Sequence, residues 1–269
     1  MSAKFAYAQW PWGTKTREEF IDACRDMSDV GFRYFESVKA FIEVFQDNIP
    51  DFKAICAEYD ITPISFYFHL RGNVENDIID LKNKLGFIEA VGGVPSITLQ
   101  GETIRGRTAT QDELEYAVRT ITEIGDICAP YGIKPAVHPH YNTTIMTESE
   151  IEYVMSRLDP DKIGFGPDTA HLSAGGCNPG QIFERYKERI NFVHLKDLKG
   201  ALSDGGMEAG VEVYDSFREL GEGDIDYKPV FQALKSVDFS GYLCLELDRT
   251  RYTNKISCLM NKHYMDKNW

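Results

Sequence analysis

The chain has 269 residues, 43% of them hydrophobic, which suits one sizeable core and the length of one (β/α)8 domain. Its formal net charge of −13 argues against nucleic acid and anionic membranes as partners, because both are held by basic patches. No apolar stretch reaches the roughly 18 residues that a membrane-spanning helix needs.

The first predicted strand covers residues 5–10, and a helix follows over 17–30. Thr16 is its N-cap, Glu18 and Glu19 suit the first turn, and Gly31 ends it. A second strand over 34–37 leads to a helix over 50–60. A third over 64–68 leads to a helix over 75–91, which Gly92-Gly93 breaks. The fourth strand, 96–99, precedes a helix capped by Thr110 and running to about Tyr131. Strands over 135–138, 163–167 and 191–194 alternate with helices over 148–158 and 179–188. A Gly-rich stretch spans 199–223. A helix over 227–237, a strand over 241–246 and a last helix or arm complete the chain. Eight strands alternating with helices predict parallel pairing through right-handed crossovers, hence a single (β/α)8 TIM barrel over residues 1–269. The six cysteines form no CxxC pair and mostly sit inside predicted elements, where Cys packs as a small apolar residue. With no signal-peptide pattern after Met1, they read as reduced thiols of a cytoplasmic protein.

Four apolar runs end in metal-ligand chemistry. Their last residues are His138, Asp168, His194 and Glu246, spaced 30, 26 and 52 residues apart. The first two spacings each fit one strand–helix unit, so all four residues are expected at the C-terminal mouth of the barrel. Two imidazoles and two carboxylates suit a divalent ion. The oxygen ligands favour Mn2+, with Co2+, Mg2+, Zn2+ and Fe2+ as alternatives. Each residue also has a plainer use. Asp168 is placed to cap a helix. Buried Glu246 needs a partner, with Lys196 or Arg249 at hand. His138 and His140 flank Pro139 and point to the same side, so one is a ligand and the other a base or a supporting group.

His140 is the candidate base, because an imidazole titrates near neutrality, and Glu246 and His171 are further acid/base candidates. His171, Lys196, Trp10, Glu36 and Gln100 are candidate substrate contacts. Trp12, Phe66, Phe68 and Glu102 are placed near the mouth or in the barrel. The stretch 199–223, with Gly200, Gly205, Gly206, Gly210, Gly221 and Gly223, is expected to be a mobile cover or an oligomer contact beside His194.

Four segments carry a family resemblance: Asp168-Thr169-Ala170-His171, His194-Leu195-Lys196-Asp197, residues 220–227 and residues 241–248. They resemble the xylose isomerase-like barrel superfamily of sugar isomerases and epimerases, nearly end to end and in motif order. That superfamily typically holds a metal with Glu, Asp, His and Glu from the last four strands. Here His138 stands at the first of these positions. Ketose 3-epimerases use that Glu as one of an acid/base pair, so its replacement weakens an epimerase reading. The segment His138-Pro139-His140-Tyr141-Asn142-Thr143 is similar to inosose dehydratases. The resemblance implies proton abstraction next to a ketone, helped by a divalent metal acting as a Lewis acid. The expected activity is a dehydratase or lyase on a keto-sugar or keto-cyclitol, or β-elimination from a keto-glycoside. A sugar isomerase or ketose 3-epimerase is the alternative. An abasic-site endonuclease shares the barrel but conflicts with the acidic charge. The expected partner is a small carbohydrate, with no nucleic acid and no membrane, and a homo-oligomer is left open.

Overall fold

The computed structural model describes residues 3–200 and 213–269. Eight parallel strands form the barrel: β1 (Lys4–Ala8), β2 (Tyr34–Val38), β3 (Thr62–His69), β4 (Thr98–Gln100), β5 (Ala136–His138), β6 (Gly164–Phe165), β7 (Phe192–Leu195) and, after a short antiparallel pair β8 (Asp197–Leu198) and β9 (Phe217–Arg218), β10 (Tyr242–Leu245). The ladder runs β6-β5-β4-β3-β2-β1-β10-β7. Isolated parallel bridges, Phe165 to Ile190 and Asp168 to His194, bring β6 against β7 and close the ring. The predicted TIM barrel is therefore the fold.

The helices are α1 (Arg17–Val30), α2 (Lys39–Phe45), α3 (Ile49–Glu58), α4 (Val74–Val91), α5 (Gln111–Cys128), α6 (Glu148–Met155), α7 (Thr169–Ala174), α8 (Pro179–Tyr186), α9 (Tyr227–Ser236) and α10 (Asn254–Asn268). Local sequence explains their starts. Thr16 with Glu19, Thr110 with Glu113 and Thr147 with Glu150 each form a reciprocal capping box. Gly31 ends α1 at φ 100°, a conformation that costs other residues. Among the described residues no helix is long and apolar enough to cross a membrane.

Two helices were not expected from the sequence. α2 buries Phe41, Ile42 and Phe45 in a single short run, too brief for helical periodicity to register. α7 begins directly at Asp168, whose side chain caps it. The first strand is also shorter than expected, because Pro11 helps turn Trp10–Trp12 into a 3-10 helix.

Phe20, Phe41, Phe45 and Phe52 pack between barrel and helices, with Phe20 and Phe52 stacked at 4.8 Å. All six cysteines are buried and unpaired. About half of the expected cover over 199–223, residues 201–212, falls outside the described residues. Its flanks are pinned. The Asp197 carboxylate accepts backbone N–H groups of Leu198, Gly221, Gly223 and Ile225 at 2.8–3.2 Å. A Cβ on Gly223 would lie 2.1 Å from Asp197 Oδ1, so only glycine admits that approach.

Candidate metal centre and active site

Side-chain alternation aims three residue pairs at the barrel mouth: His138 with His140, His194 with Lys196, and Glu246 with Asp248. In each pair the second residue follows two places after a strand residue or strand end, so both point to one side. The ligand atoms of His138, Asp168 and His194 lie within 4.8 Å of one another, and so do those of Asp168, His171 and Glu246. His194 Nδ1 lies 3.1 Å from Glu246 Oε2, which joins the two groups. The structure thus gathers the four expected ligands around Asp168, with His171 beside them.

Asp168 takes the plainer of its two expected uses and stays placed for the other. Its Oδ1 accepts the His171 backbone N–H at 2.7 Å and caps α7, while Oδ2 is buried without a hydrogen-bond partner. His194 Nδ1 and Glu246 Oε2 are likewise buried and unsatisfied. Such atoms are costly inside a protein, and a divalent cation would satisfy all three together. The donor set therefore fits a metal. His138 Nδ1 lies 3.0 Å from the Gly166 carbonyl, to which its N–H donates, so Nε2 keeps a lone pair for coordination. A third grouping of Glu36, His194 and Cys244 is a poorer site, because burial holds the Cys244 thiol well above its usual pKa and hence protonated.

Lys196 is fully buried among the carboxylates. Its Nζ donates to Glu246 Oε1 at 2.5 Å and to Asp248 Oδ2 at 2.7 Å, lies 3.6 Å from Asp168 Oδ2, and sits over the Phe217 ring. The expected Glu246–Lys196 pair is thus present alongside the ligand geometry, whereas Arg249 pairs with Asp215 instead. Burial opposes the Lys196 ammonium, but Asp168, Asp248 and Glu246 outweigh it and raise its pKa well above the usual value. Burial pushes Glu246 up to about 8, with Asp168 and Asp248 adding to the shift against Lys196 and His194. Burial also opposes a charged His194, but Glu36 and Glu246 overcome it and raise it to about 9. Without a cation, these two groups hold protons at neutral pH.

A metal must displace those protons, so its affinity is linked to pH. Below these two pKa values affinity is expected to rise about tenfold per pH unit for each proton released, and to level off above about pH 9. Mn2+ titrations at stepped pH measure this, and a flat profile would remove His194 and Glu246 from the ligand set.

His140 lies on the wall of a cleft of about 180 Å3, which Trp10, Val38, Tyr67, Gln100, Tyr214, Glu246 and Asp248 complete. Its Nδ1–H donates to the Tyr141 carbonyl at 2.8 Å, leaving Nε2 unprotonated. Burial, then Lys196, lowers its pKa to about 4, and the ring stacks on His171 at 3.5 Å. His140 is therefore fully available as a base at neutral pH, at some cost in base strength. His171 is buried, with its pKa held well below the usual value by burial and by His140 and Lys196. Its Nε2 is 3.2 Å from Lys196 Nζ.

Trp10 and Gln100 line the cleft, and Gln100 accepts from the Tyr67 hydroxyl at 2.7 Å. Glu36 lies beneath His194, hydrogen-bonded to its Nε2, rather than on the cleft wall. Trp12 turns away to donate to Asp26, and Phe66 packs in the core against Phe52 and Phe87. Sequence reasoning assigned no role to Asp248 or Tyr67. Asp248 had a signal, two residues after Glu246 in an extended run. Tyr67 had only its place in a strand.

The fold agrees with known proteins. The family model described as xylose isomerase-like TIM barrel matches residues 24–261. An inosose dehydratase of Lacticaseibacillus casei is 30% identical over 180 residues, covering 61% of this chain and 60% of that protein. The chain thus spans about 60% of the length of that relative. Among solved structures, the IOLI protein with a binding zinc atom superposes with a TM-score of 0.80 at 20% identity, covering 97% of this chain and 96% of the other. D-allulose 3-epimerase from Methylomonas sp. gives 0.79 at 15% identity, covering 100% and 98%. The family match covers most of this chain: the chain belongs to the xylose isomerase-like TIM barrel family.

Proposed function

We propose that this chain is a divalent-metal-dependent lyase that removes water from an uncharged keto-cyclitol or keto-sugar. The observation that carries the reading is the convergence of three buried, unsatisfied ligand atoms, on Asp168, His194 and Glu246, beside the neutral base His140. The inosose dehydratase relative supports the same chemistry. A divalent ion held by His138, Asp168, His194 and Glu246 would supply Lewis acidity to the substrate carbonyl. His140 Nε2 accepts the proton from the carbon next to the ketone. The electron pair of that C–H bond forms the new C=C bond as the β C–O bond breaks. The departing hydroxyl takes the proton from the His140 imidazolium, which returns the base to its neutral form, and leaves as water. Trp10 and Tyr67 offer ring faces and edges to the C–H surface of a cyclic polyol.

Charge around the cleft favours an uncharged substrate. Asp248 lines it, and Lys196 behind it is committed to carboxylates. A phosphate or carboxylate on the substrate would meet like charge at a cost of several kcal/mol. Neutral keto-cyclitols or ketoses are therefore expected to exceed carboxylate-bearing ketones in kcat/KM by about 10²-fold or more. NMR in deuterated water with the Mn2+-loaded protein measures both turnover and its type. Loss of water supports the lyase. Deuterium exchange without loss of water would instead favour the epimerase alternative, to which the allulose epimerase likeness points. Preference for an anionic ketone would sink the charge argument.

A further inference from the structure

We infer that Glu36 is a positioning residue that fixes the ring of His194 so that it binds metal through Nδ1. The inference rests on the metal-centre reading and goes beyond it. Glu36 stands on β2 and His194 on β7, 158 residues apart, and both are fully buried. Glu36 Oε2 accepts the His194 Nε2–H. Glu36 Oε1 accepts the Thr98 hydroxyl at 2.5 Å, and Thr98 Oγ1 lies 3.1 Å from Ser65 Oγ. Thr98 has a single hydroxyl proton. Having given it to Glu36, it can only accept from Ser65. The chain from Ser65 to Thr98 to Glu36 therefore directs its protons at the carboxylate, which offers His194 nothing but acceptors. Nε2 must carry a proton, and the lone pair of a neutral His194 falls on Nδ1, the nitrogen 3.1 Å from Glu246 Oε2.

The setting argues against a filler role. Barrel interiors are filled mainly by bulky aliphatic side chains. Here β2, β3, β4 and β7 each contribute a fully buried polar group to one connected chain. A buried carboxylate is expensive unless it is paired, and His194 is the ion-pair partner of Glu36 among the described residues. Apolar residues of similar volume would fill the space at lower cost. Phe192, Trp10 and His138 meet the His194 ring at steep angles, at 5.3, 6.0 and 4.7 Å, and Tyr67 stacks on it at 6.3 Å; such ring contacts do not tell Nδ1 from Nε2, whereas the Glu36 hydrogen bond does. A carboxylate that donates no hydrogen bond fixes the ring in one sense only, much as outer partners of metal-bound histidines do elsewhere.

The test uses the full chain, labelled with 15N-histidine and loaded with Zn2+ alone. Long-range 1H–15N correlation is expected to show His194 coordinated through Nδ1 with a proton on Nε2. Zn2+ affinity of Glu36→Leu, which leaves the His194 Nε2–H no acceptor on β2, is expected to fall about 10- to 100-fold. The chelated variant should melt close to the chelated parent. Coordination through Nε2 would place the ion among Glu36, His194 and Cys244 and overturn the inference. So would unchanged affinity in Glu36→Leu. A parent protein that binds no Zn2+ would sink the metal-centre reading as well, a distinct outcome. The parent spectrum decides the question even if the variant fails to fold.

Discussion

Asp168→Asn is expected to lose its metal and its activity together while the barrel survives. Oδ1 caps α7 through the His171 N–H, and asparagine caps helices about as well as aspartate. The fold therefore keeps its local support. At Oδ2, an amide NH2 replaces a charged oxygen with a group that has no lone pair for a cation. That NH2 also faces Lys196 Nζ, 3.6 Å from the present oxygen, donor against donor. Loss of a direct ligand should exceed the roughly 10- to 100-fold cost of losing an outer partner. Elemental analysis of the purified variant, beside circular dichroism, checks it. Full metal content would show that Asp168 is not a ligand. Asp168→Ala would add a capping loss of about 1 kcal/mol and so confuse the two effects.

The second large effect is expected at His140. His140→Gln should keep its metal and lose α-proton exchange by about 10²–10⁴-fold, the usual worth of a positioned acid/base group. Gln fills similar space but has no nitrogen able to accept a proton. His140 stands outside the groups whose ligand atoms converge, so metal content should be untouched. Its depressed pKa, about 4, also fixes the sign of one pH effect. A base must be unprotonated to act, so on its account the rate rises with pH through about 4 and is flat at neutrality. Deuterium incorporation into substrate, followed by NMR, is the measurement. Unchanged exchange would move the role to Glu246, His171 or Lys196.

Much of this site was legible in the sequence because barrel geometry is periodic. An apolar run that ends in His, Asp or Glu puts that residue at a strand end, and parallel strands put their C-terminal ends at one rim. His138, Asp168, His194 and Glu246 follow from that rule, as does the pairing of His138 with His140 on one side. The helix starts were equally local, since a capping box spans only four residues. The capped turn at Asp168 and the Glu246–Lys196 pair were each visible as a competing use of a candidate ligand, and the structure shows both of those competing contacts.

The sequence by itself determined which residue types reach the barrel mouth and in what order, because burial pattern and strand alternation are properties of neighbouring residues. Only the tertiary structure decided what each atom does there. That Glu36 turns inward under His194 rather than toward the cleft depends on how β2 meets β7 across a closed barrel, through β1 and β10. That Lys196 sits among three carboxylates depends on β6, β7 and the end of β10 converging. The same holds for charge. His140 and His194 are chemically identical in the sequence, yet one is lowered to about 4 and the other raised to about 9. Burial opposes charge on both; the difference is that Glu36 and Glu246 flank His194 while Lys196 stands near His140. Coulomb energy depends on distance and local dielectric, and chain position sets neither.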